Sequence, residues 1–424
     1  MRKIFLTFIC WIIFSAVTYA NEVATDFETR EIQLTCALSS FAAYSDDKSS
    51  LIRNNLISMG WKVDAVNTKK HGVKTKAYIL GKTFDEGQIA KILVISGTED
   101  MHDFEVDFRM GGVKLHEDKS DGIVVHKGFR DYADAMLSDG FAESLIDELK
   151  NNPNETLYLT GHSLGGSVAI MTAIRLIDMG VDKDRMKVIT FAAPAVGNKA
   201  LANEYADKID LTSIEIKGDV VRSVFEPFGY VQFGNIVTWT PAKTSTNNEH
   251  KIAMYLDCAL RNYFDAEGFT FDAGIDGSEI DVPVYVAPIR FVKKNFIAED
   301  EKYIYMILRT CLTARLSALT FDETKYVEVE SADNISTGLM PIINTAKNSG
   351  CKYVLVQLVN AERVREAQDN ERKVMLYEFL VDLSGVPVMM QTSGMSTKDL
   401  TLIEAAFFAQ ENLIKSLETA LLGN

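Results

Sequence analysis

The sequence has no long block of positive charge, and this shortage excludes one class of partner. Its 424 residues carry 44 basic and 59 acidic side chains, for a formal net charge of −15. Nucleic-acid binding needs clustered Lys and Arg to displace counterions from the phosphates, so nucleic acid is not an expected partner. Anionic lipid would not attract such a chain either, so any peripheral membrane contact should rely on apolar surface.

Long apolar runs are also missing after residue 20, where no segment offers the ~18 uninterrupted apolar residues typical of a spanning helix. The first 20 residues differ: basic residues at 2–3 precede the mostly apolar run 4–17, and small residues end at Ala20. This pattern predicts a signal peptide at 1–20, cleaved near Ala20, and export to a periplasm or the medium. An uncleaved anchor is the alternative, but the run is shorter than the ~20 residues that crossing requires.

Cysteine is scarce, and no C-x-x-C pair indicates zinc or redox work. No metal and no cofactor is therefore expected. Beyond the predicted signal peptide, the chain keeps Cys36, Cys258, Cys311 and Cys351. An even number permits two disulfides in an oxidising compartment, although the apolar surroundings equally suit buried free thiols. The spacing does not decide the connectivity.

The length predicts two domains. In the first half, strand-like apolar runs alternate with helix-like periodic segments, which indicates an α/β fold with a mainly parallel sheet. The predicted strands are 76–80, 91–96, 157–159, 187–191 and 213–216, and the predicted helices are 31–45, 132–150 and 164–179. A Gly- and Asp-rich segment at 268–277 marks the expected boundary between a domain at 21–275 and a smaller α/β domain at 280–424.

The second half shows its own alternation of strands and helices. The predicted strands are 282–289, 326–330, 353–364 and 374–381, and the predicted helices are 303–319, 339–348 and 397–422. This order of elements resembles the amino-terminal domain of TolB and similar periplasmic envelope proteins. The resemblance is carried by the segments 287–289, 351–355 and 380–385. A generic α/β module is the alternative. No histidine follows His250, and we find no nucleophile or metal cluster here, so binding or docking of a protein partner is the expected role.

The segment 157–166 carries the chemistry. An apolar strand leads into Gly161-His162-Ser163-Leu164-Gly165, and an apolar helix follows. A sharp strand-to-helix turn strains the serine backbone and brings other chain close, so small residues must flank it. The amino terminus of the helix directs partial positive charge toward an oxyanion formed nearby. The pattern predicts Ser163 as a nucleophile.

A serine nucleophile needs an imidazole base and an acid that orients it. Six histidines occur, and the α/β-hydrolase order of Ser, acid, His leaves only His250 after Ser163. Asp219 follows the predicted strand 213–216, at the carboxyl end of the sheet where Ser163 is also expected. It is favoured over the other acidic candidates, although a simple turn residue is the alternative reading. Those other candidates are Asp178, Asp182, Asp184, Asp207, Asp210 and Glu215.

Around these residues the sequence resembles the class 3 lipases, which act on glycerolipids, over about residues 30–270. The resemblance is carried by 161–166, 41–44, 96–98, 125–129 and His250 with 255–256. It implies that Thr98 and the N–H of Leu164 form the oxyanion hole, and that part of 99–112 is a lid. A solvated loop is the equal alternative for 99–112.

Two positions depart from that family pattern. Many members have Arg where this chain has Ser96, and most have Pro where it has Arg222. Neither change removes a catalytic atom.

These observations predict an exported serine esterase or lipase with a lipid or other ester substrate and the triad Ser163, Asp219 and His250. One alternative is a binding or scaffold protein on an inactive hydrolase fold. The other is an esterase for soluble esters. The sequence does not separate a triacylglycerol lipase from a phospholipase, because pocket shape decides that choice.

Overall fold

The structure is a computed structural model that describes residues 27–44, 46–84, 87–97, 111–242, 249–271, 280–293, 295–296, 298–364 and 371–423. The predicted signal peptide, Thr98 and residues 99–110 of the predicted lid therefore lie outside the described residues.

The amino-terminal half alternates strands and helices, as predicted. Its strands are β1 (Lys62–Val66), β2 (Lys69–Lys70), β3 (Val73–Lys74), β4 (Ala77–Thr83), β5 (Ile89–Ile95), β6 (Gly112–Lys114), β7 (Val124–His126), β8 (Glu155–His162), β9 (Met186–Phe191), β10 (Asp210–Ile216) and β11 (Asn235–Trp239). Its helices are α1 (27–42), α2 (Asp47–Ser58), α3 (Lys127–Met136), α4 (Phe141–Asn151), α5 (Leu164–Asp178), α6 (Lys199–Tyr205) and α7 (Ile252–Phe264).

The first sheet has the order β1-β4-β5-β8-β9-β10-β11 among the described strands. The run from β5 to β11 is parallel, and only β1 and β4 pair in the antiparallel sense. The carboxyl ends of β8 and β10 therefore open at one edge, where ligand sites of parallel sheets lie. The expected α/β fold with a mainly parallel sheet is confirmed.

Helices cover both faces of this sheet, and for this reason its central strands, β5, β8 and β9, are mostly buried. One face packs against α3, α4 and α5 through a core that includes Phe129, Leu145 and Val168. The opposite face packs against α1, α2 and α7 through a core that includes Phe41 and Leu256.

The carboxy-terminal half contains a second sheet. Its strands are β12 (Val284–Val286), β13 (Ile289–Val292), β14 (Leu319–Phe321), β15 (Tyr326–Val329), β16 (Tyr353–Arg363), β17 (Arg372–Asp382) and β18 (Pro387–Ser396). Its helices are α8 (Ala298–Thr313), α9 (Leu339–Asn348) and α10 (Leu402–Leu422). In this sheet β12 to β16 pair in parallel, while β16, β17 and β18 form an antiparallel meander.

Several helices and strands that were predicted as single continuous elements are interrupted or end early in the structure. The single helix 132–150 is two helices, because Asp139 and Gly140 adopt φ of 57° and 79° between them. The single strand 282–289 breaks at Pro288, which has no N–H to donate to the sheet, and β13 resumes after it. The helix predicted over 303–319 ends at Thr313, and its last predicted residue begins β14.

The strand β18 was missed, and the last helix begins later than the predicted 397. Thr401 caps α10 through a capping box with Glu404. Such a cap satisfies N–H groups at the helix start, so it defines where α10 begins.

One hydrophobic core joins the two halves. Helix α10 contacts α2, α7 and α8, and the rings of Phe41 and Phe408 lie 5.9 Å apart across this junction. The predicted boundary near 275–280 falls largely on residues outside the described part of the chain. The division into two domains stays a prediction.

The four cysteines Cys36, Cys258, Cys311 and Cys351 are buried and free. The sequence left disulfides and free thiols as alternatives, and the structure shows free thiols. Burial raises the pKa of Cys36 to about 12, so this thiol stays protonated at neutral pH. In the described part of the chain, no helix is both long and apolar enough to cross a membrane.

Phe408→Ala should lower the free energy of unfolding by about 3–5 kcal/mol, because a fully buried ring is replaced by a cavity. Since Phe408 joins the halves, urea unfolding followed by circular dichroism and by tryptophan fluorescence should show one coincident transition, shifted in the variant. Leu422→Ala, on the same helix but exposed, is the matched control and should change stability by less than about 0.5 kcal/mol. Two separate transitions in the unaltered protein would contradict a shared core.

Candidate active site

Ser163 stands on a strained turn between β8 and α5. Its φ of 56° and ψ of −125° lie outside the usual regions for a residue with a side chain. A Cβ on Gly161 would lie 2.4 Å from the carbonyl carbon of Gly165, and a Cβ on Gly165 would lie 2.2 Å from the oxygen of Ile95. Both flanking glycines are therefore required, as the sequence predicts.

His250 connects Ser163 to Asp219. Its Nε2 lies 3.0 Å from the Ser163 Oγ, and its Nδ1 lies 2.9 Å from the Asp219 Oδ2. An ionised carboxylate only accepts hydrogen bonds, so Nδ1 carries the proton and donates it to Asp219. Nε2 is then free to accept the proton of the serine hydroxyl, which is the arrangement a general base needs. The structure thus brings together the three predicted triad residues.

Asp219 is held in its charged form. Burial acts to raise its pKa, but the hydrogen bond and charge of His250 and the bonds from Tyr255 and Val221 hold that pKa below its usual range. The Tyr255 hydroxyl donates to Oδ2 at 2.7 Å, and the Val221 N–H donates to Oδ1 at 2.9 Å. Asp219 is therefore ionised at neutral pH. The sequence showed Tyr255 only as part of the family resemblance, without this role.

His162 supports the main chain of the base. Its Nε2 lies 2.8 Å from the carbonyl oxygen of His250, and its Nδ1 lies 2.8 Å from the hydroxyl of Tyr44. A carbonyl only accepts, so Nε2 donates and Nδ1 accepts from Tyr44. Burial, and then the charge of His250, lowers the pKa of His162 to about 3. The ring stays neutral and positions residue 250.

The predicted oxyanion hole is described only in part. Leu164 is the first residue of α5, so its N–H has no partner within the helix. Thr98 lies outside the described residues, but Gly97 before it is packed closely. A Cβ on Gly97 would lie 2.6 Å from the Tyr44 hydroxyl and 2.8 Å from the His162 carbonyl oxygen.

Arg222, which replaces the proline of most class 3 lipases, has a local partner. Its Nη1 lies 2.9 Å from Oε2 of Glu215, a buried residue inside β10. Burial raises the pKa of Glu215, and the charge of Arg222 opposes that rise. The arginine therefore compensates a buried carboxylate next to the Asp219 loop.

Helix α7 starts two residues after His250, and the second half of the chain holds it. Arg261 binds Asp257 within α7 at 2.7 Å and Asp300 of α8 at 3.1 Å. Asp257 and Asp300 are fully buried and Arg261 nearly so, which makes the pairing costly to break. No local sequence pattern predicts this support, because it joins residues of two separate helices. Within the described residues, no group of His, Cys, Asp and Glu suits a metal ion.

Tyr255→Phe should destabilise the protein by about 1–2 kcal/mol at pH 7, because a hydrogen bond to a charged carboxylate is lost. A carboxylate with a lowered pKa stabilises the fold above its unfolded pKa of about 3.9, and this contribution disappears as the pH falls through the folded pKa. The deficit should therefore shrink below about pH 4 in urea unfolding at several pH values.

Tyr205→Phe is the control, because the Tyr205 hydroxyl also donates to a carboxylate, that of Asp178, at 2.7 Å. The Tyr205→Phe change removes the same kind of hydrogen bond without touching Asp219, so it reports the general cost of losing such a hydroxyl. A deficit for Tyr255→Phe that is constant with pH would rule out Asp219 as the group that Tyr255 stabilises.

Residues 92–227 match the family model described as Lipase (class 3). The chain is 34% identical over 84 residues to a lipase of Rhizomucor miehei, covering 19% of this chain and 23% of that protein. It is 26% identical over 147 residues to a chloroplastic phospholipase A1 of Arabidopsis thaliana, covering 33% of this chain and 22% of that protein. A secreted mono- and diacylglycerol lipase of Penicillium cyclopium is 30% identical over 118 residues, covering 28% of this chain and 37% of that protein. The chain thus spans less than half the length of these relatives.

The solved structure of Rhizomucor miehei triacylglyceride lipase aligns with a TM-score of 0.41 at 20% identity, covering 50% of this chain and 80% of that chain. The predicted resemblance is confirmed by the family match, which extends over residues 92–227 of this chain.

Proposed function

We propose that the protein is a serine hydrolase that cleaves carboxylic ester bonds of glycerolipids. One observation carries the proposal: the Ser163 hydroxyl lies 3.0 Å from a histidine nitrogen whose ring is oriented by a buried carboxylate. The family match of residues 92–227 supports the same reaction class. We also propose that the protein is exported after cleavage near Ala20, on the pattern of its first 20 residues.

In this mechanism His250 removes the proton of Ser163 while Oγ attacks the ester carbonyl carbon. The negative charge that forms on the carbonyl oxygen faces the N–H of Leu164, with Thr98 as the proposed second donor. His250 then protonates the leaving alcohol as the ester C–O bond breaks, and the acyl group stays on the Ser163 Oγ. His250 next takes a proton from a water molecule that attacks the acyl carbon, and it returns this proton to Oγ as the free acid leaves. Asp219 stabilises the positive charge that His250 carries in between.

A lipid substrate is favoured by the surface beside the triad. Apolar side chains on the segment after Asp219 are exposed, including Val220 at 75% and Phe228 at 74%. Exposed apolar groups close to an active site suit an aggregated substrate, because they gain energy on contact with acyl chains. The three relatives above are named as a lipase, a phospholipase A1 and a mono- and diacylglycerol lipase.

Two alternatives remain for comparison. A binding protein on an inactive hydrolase fold has no use for hydrogen bonds that align Ser163, His250 and Asp219, so the geometry disfavours it. An esterase for soluble esters would use the same triad, but it would show no rise in rate when the substrate passes from monomer to aggregate.

Ser163→Ala should lower kcat by on the order of 10⁶-fold, because members of a triad act as a unit. The measurement is hydrolysis of short p-nitrophenyl esters, triacylglycerol and phosphatidylcholine, together with labelling by a fluorophosphonate. Ser167→Ala, one turn further along α5, is the control and should keep the label. Absence of labelling and of turnover in the unaltered protein would favour the binding protein.

Recovery of secreted protein beginning at Asn21 tests the proposed export.

Phe228→Ser should reduce hydrolysis of emulsified lipid about fivefold to tenfold, because an apolar side chain is lost from the lipid-facing surface. Hydrolysis of a monomeric p-nitrophenyl ester should change by less than about twofold, since Phe228 lies outside the triad. Met390→Ser is a matched control, because Met390 is 75% exposed in the second half. Equal losses on both substrates would argue against a role for Phe228 at the lipid surface.

A further inference from the structure

A cavity of about 520 Å³ lies at the end of the first sheet opposite to Ser163. Ile89 and Ala90 at the amino end of β5 line it, together with Thr156 at the amino end of β8. Ser163 follows the carboxyl end of β8, so the cavity is separate from the triad. Its volume falls within the ~300–1,000 Å³ typical of small-molecule sites.

Aromatic side chains supply much of the cavity wall. They are Trp61, Phe84, Tyr158, Tyr263, Phe269 and Phe271. The rings of Tyr263 and Phe269 meet edge to face at 5.4 Å, and those of Phe269 and Phe271 at 5.2 Å. Ring faces carry partial negative charge, so a wall of this kind attracts cations.

Negative charge is in excess among the ionisable side chains that line the cavity. Glu28 and Glu31 lie three residues apart on α1 and so share one helix face, while Lys82 is the basic residue that lines the cavity. Among the described residues, the Glu31 carboxylate makes no hydrogen bond or ion pair. Burial raises the pKa of Glu31, Lys82 opposes that rise, and Glu28 adds to it. The cavity lacks a full counter-charge for its two carboxylates.

One cation already lies against an aromatic ring in this wall. The Lys82 ammonium is 5.2 Å from the ring centroid of Phe84, whose ring meets Trp61 edge to face at 6.4 Å. The distance is within the ~6 Å range of cation–π attraction. The cavity therefore combines ring faces and net negative charge, which disfavours an anionic ligand such as a fatty acid.

We propose that this cavity is a binding site for a small organic cation of the quaternary ammonium type. Its methyl groups would contact the aromatic wall, and its charge would face Glu31 and Glu28. Such a group occurs both in free choline compounds and in the head group of choline lipids. The site is distinct from the proposed ester hydrolysis and does not depend on it.

Calorimetric titration of the purified protein with choline tests the site. Choline should bind saturably and about tenfold or more tightly than 3,3-dimethyl-1-butanol, its uncharged isostere. Glu31→Gln should weaken choline binding about tenfold, because it removes a facing charge. Glu143→Gln, an exposed glutamate on α4, is the matched control and should leave the affinity unchanged. Choline should also change the fluorescence of Trp61, and Trp61→Phe should abolish that change.

Competition distinguishes the two sources of the cation. Phosphatidylcholine vesicles that displace choline, where phosphatidylglycerol vesicles do not, would identify a lipid head group as the ligand. Displacement by phosphocholine but by neither vesicle would identify a free compound. Equal binding of choline and its uncharged isostere, equal binding by Glu31→Gln, or no saturable binding up to about 10 mM would overturn the proposal. Because binding is read directly, these outcomes are independent of whether Ser163 hydrolyses esters.

Discussion

The geometry of the candidate site depends on the close contact between α5 and the strand next to it. Gly165 passes so near the carbonyl of Ile95 that a Cβ there would lie 2.2 Å from that oxygen. This approach places the amino end of α5 beside β5 and forces Ser163 into its strained turn. The parallel strands β8 to β10 then bring Asp219 to the same edge, where His250 bridges the two at 3.0 and 2.9 Å. A change in this helix-to-strand contact would shift Ser163 and so alter the distance from its Oγ to His250.

The second half of the chain takes part in this arrangement. Helix α7, which carries Tyr255 and follows His250, is tied to α8 by Arg261 and Asp300. The adjacent Lys251 also pairs with Asp399 at 2.8 Å, although this exposed pair adds little stability. The predicted docking role of the second half stays a prediction. Its contacts with α7 also hold in place the helix that follows the catalytic base His250.

Prediction from sequence worked where local pattern and tertiary structure agreed. The helix predicted over 164–179 is observed as Leu164–Asp178, and the helix predicted over 339–348 is observed at those residues. It was wrong where one residue interrupts a continuous apolar pattern, as Gly140 and Pro288 do. It missed β18, because that strand is partly exposed and its residues show little apolar alternation.

The sequence by itself determined Ser163, its flanking glycines and the choice of His250, because a turn motif and a single downstream histidine are local or countable features. It also favoured Asp219 from its place after a strand. Only the tertiary structure decided that Tyr255 and His162 support the triad, that the four cysteines are free thiols, and that a cavity lies at the far end of the sheet. These features join residues distant along the chain, and their contacts exist only once the helices have packed on the sheet.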